Sequence, residues 1–104
     1  MEQIKYIGID KLKDDEINTV MALSEEHYTK LSRYLPNIAG MAVHIKLHSD
    51  SGPTDMRKDY EITVKAEAAT RIFTASSQGW VLELVMKDVF SNLIREIEHM
   101  FHDK

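Results

Sequence analysis

Met41-Ala42-Val43-His44-Ile45-Lys46-Leu47-His48 carries the clearest structural pattern in this sequence. Met41, Val43, Ile45 and Leu47 alternate with Ala42, His44, Lys46 and His48. This is the two-residue period of a strand with one face in a core and the other in water. A second stretch repeats it, setting Tyr60, Ile62, Val64, Ala66 and Ala68 against Glu61, Thr63, Lys65 and Glu67. The turn cluster Asp50-Ser51-Gly52-Pro53 lies between them. A tight connection around Ala69-Thr70 then leads into a third strand, Arg71–Ser77. There the alternation weakens, with Ile72, Thr74 and Ser76 on one side and Phe73, Ala75 and Ser77 on the other.

On both flanks of these strands the period changes. Ile4, Tyr6, Ile7 and Ile9 form a short β-prone run that ends in the charged turn Asp10–Asp15. From Asp15 to Leu35, Ile17, Val20, Met21, Ser24, Tyr28, Leu31 and Leu35 recur at three- and four-residue steps, one stripe of a helix. Asp14 or Asp15 is placed to cap its start, Lys30 and Arg33 suit its negative end, and Pro36 stops further winding. Gly79 breaks the last strand before a second helix from about Trp80 to Phe101. Its main stripe is Val81, Leu84, Val85, Val89, Leu93, Ile97 and Met100, widened by Leu82, Met86, Phe90, Ile94 and Phe101. Trp80 reads as a core anchor at the helix start, and Ser76 and Ser77 as caps.

The resulting order, β-α-β-β-β-α, has one economical packing. It is an α+β two-layer sandwich in which a four-stranded sheet buries its apolar face under both helices. The first strand lies parallel to its neighbour through a helical crossover, and the last three form a meander. The other face stays open and carries His44, Lys46, His48, Glu61, Thr63, Lys65, Glu67, Arg71 and Phe73. Such a face suits docking.

Composition narrows the function classes. The 104 residues hold 13 Lys+Arg against 17 Asp+Glu, a net charge of −4, which argues against indiscriminate coating of nucleic acid. Residues 1–40 carry 5 basic and 7 acidic side chains, residues 41–79 carry 5 and 5, and residues 80–104 carry 3 and 5. The deficit therefore sits in the helical segments, and the sheet segment is balanced enough to allow a local basic patch. The absence of cysteine excludes a disulfide scaffold, a thiol nucleophile and a Cys-type zinc site. No apolar run reaches the ~18 residues of a membrane span, and the N-terminus lacks a signal-peptide core. The expectation is one cytoplasmic domain spanning residues 1–104, without a membrane partner.

Nothing in the motifs supports catalysis. Ser76-Ser77-Gln78-Gly79 is not a G-x-S-x-G elbow, and the four glycines are isolated rather than gathered into a phosphate loop. Asp14, Asp15, Glu16, Glu25 and Glu26 read as a solvated helix face. His44 and His48 stand roughly 13 Å apart along a strand and cannot share a metal ion. His99 and His102 can meet on a helix face, but only Glu98 or Asp103 is near enough to assist, and His27 has no evident partner. The expectation is no enzyme, no metal, no cofactor and no small-molecule substrate.

Several stretches together resemble the ribosome hibernation-promoting factor and protein Y family, also called ribosomal subunit interface proteins. They are the helix ending His27-Tyr28-Thr29-Lys30-Leu31-Ser32-Arg33-Tyr34-Leu35-Pro36-Asn37-Ile38 and the strand Ala42-Val43-His44-Ile45-Lys46-Leu47. Tyr60-Glu61-Ile62-Thr63-Val64, Ile72-Phe73-Thr74-Ala75-Ser76 and the helix segment Leu93-Ile94-Arg95-Glu96-Ile97-Glu98 complete the set. The resemblance covers nearly the whole chain, in the short form that lacks a C-terminal dimerisation domain. It implies a fold similar to a double-stranded-RNA-binding domain and a non-catalytic factor that binds the small ribosomal subunit and its RNA. Such a factor represses translation and promotes ribosome hibernation under stress. By position it implies RNA contacts at Lys30, Arg33, Lys46, Lys65 and Arg71. The chain departs from the family at Ser76-Ser77-Gln78-Gly79-Trp80, where acidic residues are usual, and in the acidic end of its last helix. The second reading is a protein-interaction or stress module of the same fold that has lost ribosome binding. It would act as a homodimer through the last helix, with Leu82, Met86, Phe90, Ile94 and Phe101 as the seam.

Overall fold

The computed structural model describes residues 4–35, 38–49, 58–69 and 71–102. They form β1 (Ile4–Ile7), a 3-10 turn (Ile9–Lys11), α1 (Asp14–Tyr34), β2 (Gly40–Ser49), β3 (Lys58–Glu67), β4 (Ile72–Gly79) and α2 (Leu82–His102). The strands make one sheet in the order β1-β2-β3-β4, with β1 parallel to β2 and the remaining pairs antiparallel. This is the expected β-α-β-β-β-α sandwich. The expectations placed on Pro36, on Asp50-Ser51-Gly52-Pro53, on Thr70, on Asp103 and on the side chains of Phe101 and His102 lie outside the described residues.

Alternation in the two middle strands becomes burial. Met41, Val43 and Ile45 of β2 and Tyr60, Ile62, Val64 and Ala66 of β3 are buried, while their alternates face outward. The helices cover that face. α2 supplies Leu82, Val85, Met86, Val89, Phe90, Leu93 and Ile97, and α1 supplies Val20, Ser24 and Leu31. His27 of α1 stacks on Phe90 of α2 at 4.6 Å between ring centroids, and its Nδ1 donates to the Leu23 carbonyl at 2.8 Å. The histidine that lacked a partner in the sequence thus fastens helix to helix.

The connections follow from local chemistry. Gly8 takes φ +84°, and a Cβ there would stand 2.3 Å from the Ile45 carbonyl oxygen. Only glycine lets the chain turn off β1 this close to β2. The cap of α1 differs from the expectation. Asp14 and Asp15 are its first helical residues and Lys13 holds the cap position, with its N–H donating to Glu16 Oε1 at 2.9 Å. The acidic first turn still complements the positive end of the helix. The other carboxylate oxygen of Glu16 accepts the Tyr60 hydroxyl, tying the start of α1 to β3.

Other sequence expectations are corrected here. Phe73 is buried, not on the open face, because it stands opposite Ala66, whose small side chain leaves room in the core. Arg71 precedes β4 rather than lying in it. Trp80 is exposed, since α2 begins at Leu82 and that leucine takes the buried position. Ser76 and Ser77 belong to β4 and do not cap α2; Ser77 Oγ donates to Asp88 Oδ2 at 2.6 Å and Ser76 Oγ pairs with Thr63 Oγ1 at 3.1 Å. The stripe of α2 is rotated from the expected one, exposing Val81, Leu84 and Met100. In the expected dimer seam, Leu82, Met86 and Phe90 are core residues and Ile94 packs against the core, so these four described residues are not available as a seam.

Candidate functional site

Among the described residues the open face of the sheet is a broad surface that the helices leave uncovered, and its pattern follows from register. Cross-strand partners project to the same side, so the face is built of rows. Lys5, Ala42, Lys65 and Thr74 form the first row, and Ile7, His44, Thr63 and Ser76 the second. Lys46, Glu61 and Gln78 form the third, followed by His48 and Asp59.

The two ends differ in charge. In the third and fourth rows both carboxylates already have hydrogen-bond donors. His48 Nε2 donates to Glu61 Oε1 at 2.7 Å, and Gln78 Nε2 donates to Asp59 Oδ2 at 2.6 Å. The His48 hydrogen bond, with the nearby charges of Lys46 and His44, holds the Glu61 carboxyl below its ordinary range against a smaller opposing desolvation. Lys46 therefore stands beside a resident anion.

The first row is different. Lys5 and Lys65 flank Ala42 on either side, two strand spacings apart or roughly 9.6 Å between backbones. Neither lysine carries an ion pair among the described residues. The methyl group of Ala42 leaves a basin of about 620 Å³ between them, also lined by Ile7, His44, Thr63 and Glu67. Glu67 is the one acidic group of this lining, opposite Gly40 at its edge. Two lysines, a histidine and a threonine hydroxyl around a small residue have the chemistry to hold an anionic group such as a phosphate.

The residues singled out from the sequence fall in three places. Lys65 is in the basin. Lys46 lies on the same face, four residues along β2 from the partner of Lys65, roughly 13 Å away. Arg71 is exposed where the β3–β4 turn closes, its carbonyl accepting the Ala68 N–H at 2.8 Å. Lys30 and Arg33 are exposed on α1, in the other layer, and Lys30 pairs with Glu26 at 3.7 Å. The chain brings the end of α1 to the same end of the molecule as that turn, since Ala39 N–H bonds to the Glu67 carbonyl at 2.6 Å. Lys5 was not singled out. Its signal was the parity of β1, Ile4 and Tyr6 inward and Lys5 outward, which a four-residue strand states only faintly. Among the described residues no group of three or more His, Asp or Glu side chains is arranged to hold a metal ion, and no helix is long and apolar enough to cross a membrane.

No family model matches the chain, and no curated protein matches it in sequence. Among solved structures it is similar to the N-terminal domain of Protein Y from Thermus thermophilus, with a TM-score of 0.58. The two are 10% identical, over 96% of this chain and 99% of that one. At this identity the likeness is one of fold. It extends to the whole sandwich, including the order of helices and strands.

Proposed function

We propose that this protein is a non-catalytic, ribosome-associated factor that docks on RNA of the small ribosomal subunit in the cytoplasm and represses translation. The observation that carries this reading is the Lys5–Lys65 basin on the open face of the sheet. The resemblance of the sequence stretches to the hibernation-factor family and the likeness in fold to the Protein Y domain point the same way. In this reading Lys5 and Lys65 seat backbone phosphates. Arg71 extends the contact at the rim, Lys30 and Arg33 reach a neighbouring strand of RNA, and Lys46 plays a lesser part beside Glu61. Phosphate contacts fix position and orientation and carry no sequence information by themselves. Specificity then comes from the shape of the RNA that accepts the flat sheet.

Co-sedimentation with purified small subunits on a sucrose gradient at low salt tests this. The expected outcome is that the protein travels with the subunit and that the Lys5→Glu/Lys65→Glu variant stays at the top. A wild-type chain that stays at the top under these conditions sinks the reading.

A further inference from the structure

Among the described residues, the four most exposed large apolar side chains, Ile72, Trp80, Val81 and Leu84, gather at one edge of the sheet. Among the described residues β4 is bonded to β3 on one side and to no strand on the other. Its sequence, Ile72-Phe73-Thr74-Ala75-Ser76-Ser77-Gln78-Gly79, holds no charged residue and no proline. Charge and proline are the means by which natural edge strands refuse a partner. The opposite edge, β1, is only four residues long and presents Lys5. Ile72 at the start of β4 is 60% exposed and Trp80 just past its end is 63% exposed. Val81 at 54% and Leu84 at 61% continue the apolar surface from Trp80 onto the start of α2.

We propose that β4 pairs antiparallel with β4 of a second copy of this chain, about a two-fold axis through Ser76, joining two four-stranded sheets into one. The edge is self-complementary in that register. Residues directly opposite in an antiparallel pair share a face. An axis through Ser76 sets Thr74 opposite Gln78 and Ile72 opposite Trp80, so each exposed apolar end is covered by the other, twice. The polar side chains meet in the middle. The strand itself brings no like charge across the axis, and the Asp88 carboxylate of α2 beside it is held by the Ser77 hydroxyl. The exposed parts of Ile72, Trp80, Val81 and Leu84 amount to roughly 450 Å² per copy, about the apolar share of the ~800 Å² that each partner of a standard interface buries. Pairing consumes this edge in both copies and leaves the two short β1 edges, so assembly stops at two. The inference concerns the sheet edge and does not depend on the RNA reading of the basin.

The chain has a single tryptophan and no cysteine, which makes the test direct. On raising the concentration of wild type, Trp80 emission shifts to the blue while the scattering mass rises from 12.0 kDa toward twice that value. Across the axis the two Ser76 Cα atoms lie about 4.5–5.5 Å apart, inside the span of a disulfide. Mild oxidation of Ser76→Cys therefore yields a covalent dimer, whereas Thr29→Cys, exposed on α1, stays largely uncrosslinked. Ile72→Lys weakens self-association about tenfold or more with an unchanged circular dichroism spectrum. A monomer mass with constant Trp80 emission at every concentration overturns the proposal. So does Thr29→Cys crosslinking as fast as Ser76→Cys.

Discussion

Gly8 and Tyr60 show how single residues hold this small protein together. At Gly8 an alanine would have to adopt a left-handed backbone and put its methyl into the Ile45 carbonyl of β2. The conformational term alone is about 1–2 kcal/mol, and the contact with backbone cannot relax without moving β1 from β2. Gly8→Ala is expected to cost at least about 2 kcal/mol of unfolding free energy in a denaturant titration; an unchanged midpoint would show that the turn tolerates a Cβ. Tyr60 is buried and donates to Glu16, and burial first, then that hydrogen bond and the carboxylate charge, push its pKa from 10.0 up to about 12. The folded state thus keeps the phenol protonated where the unfolded chain would lose the proton. Its contribution is whole below pH 10 and is lost as the pH rises from 10 toward 12. Tyrosinate absorbance of wild type should show a late component near pH 12 that Tyr60→Phe lacks. Its absence from wild type would mean the phenol is not held this way.

At the scale of elements, the two helices are read by what they bury. α1 places Ser24 against the core, fully buried, with no hydrogen-bond partner for its hydroxyl among the described residues. An unpaired buried hydroxyl costs stability, and alanine is the better helix former. Ser24→Ala is expected to raise stability by about 1 kcal/mol, seen as a higher denaturation midpoint with an unchanged slope. A loss of stability would show that the hydroxyl is bonded after all. The same elements show what the sequence alone could tell. β2 and β3 were legible because each has one wet and one dry face, and a one-residue slip would exchange them. β4 was less so, because Ile72 and Phe73 are both apolar and adjacent, and only the pairing of Phe73 with Ala66 decides which turns inward. α2 is apolar on more than half its circumference, so periodicity alone could not fix its rotation. Its start at Leu82 left Val81, Leu84 and Trp80 outside, where the sequence suggested a core anchor.

At the scale of the whole molecule, net charge and site charge part company. The chain carries −4, yet the basin between β1 and β3 gathers two lysines. Lys65 was legible from strand alternation. Lys5 was not, because a strand of four residues acquires its facing from the neighbour it pairs with. Binding through the six cations of the proposed contact predicts a slope of about −4 to −5 in log affinity against log salt. The milder Lys5→Gln/Lys65→Gln variant, which removes two phosphate contacts and keeps the others, should flatten that slope by about 2. A wild-type slope several-fold steeper would place most contacts elsewhere on the molecule.

The parallel pairing of β1 has a consequence for motion. β2, β3 and β4 meet through near neighbours in the chain, but Ile4 finds Met41 only after the whole of α1 has been laid down. Contacts so distant along the chain are slow to close. Strands held by four residues on one side only are the first to open in the native state. Lys5 therefore rides on the part of the sheet whose release costs least. On the proposed reading, an anion held between Lys5 and Lys65 would span that junction, which would make occupancy of the basin and the ordering of β1 two sides of one equilibrium.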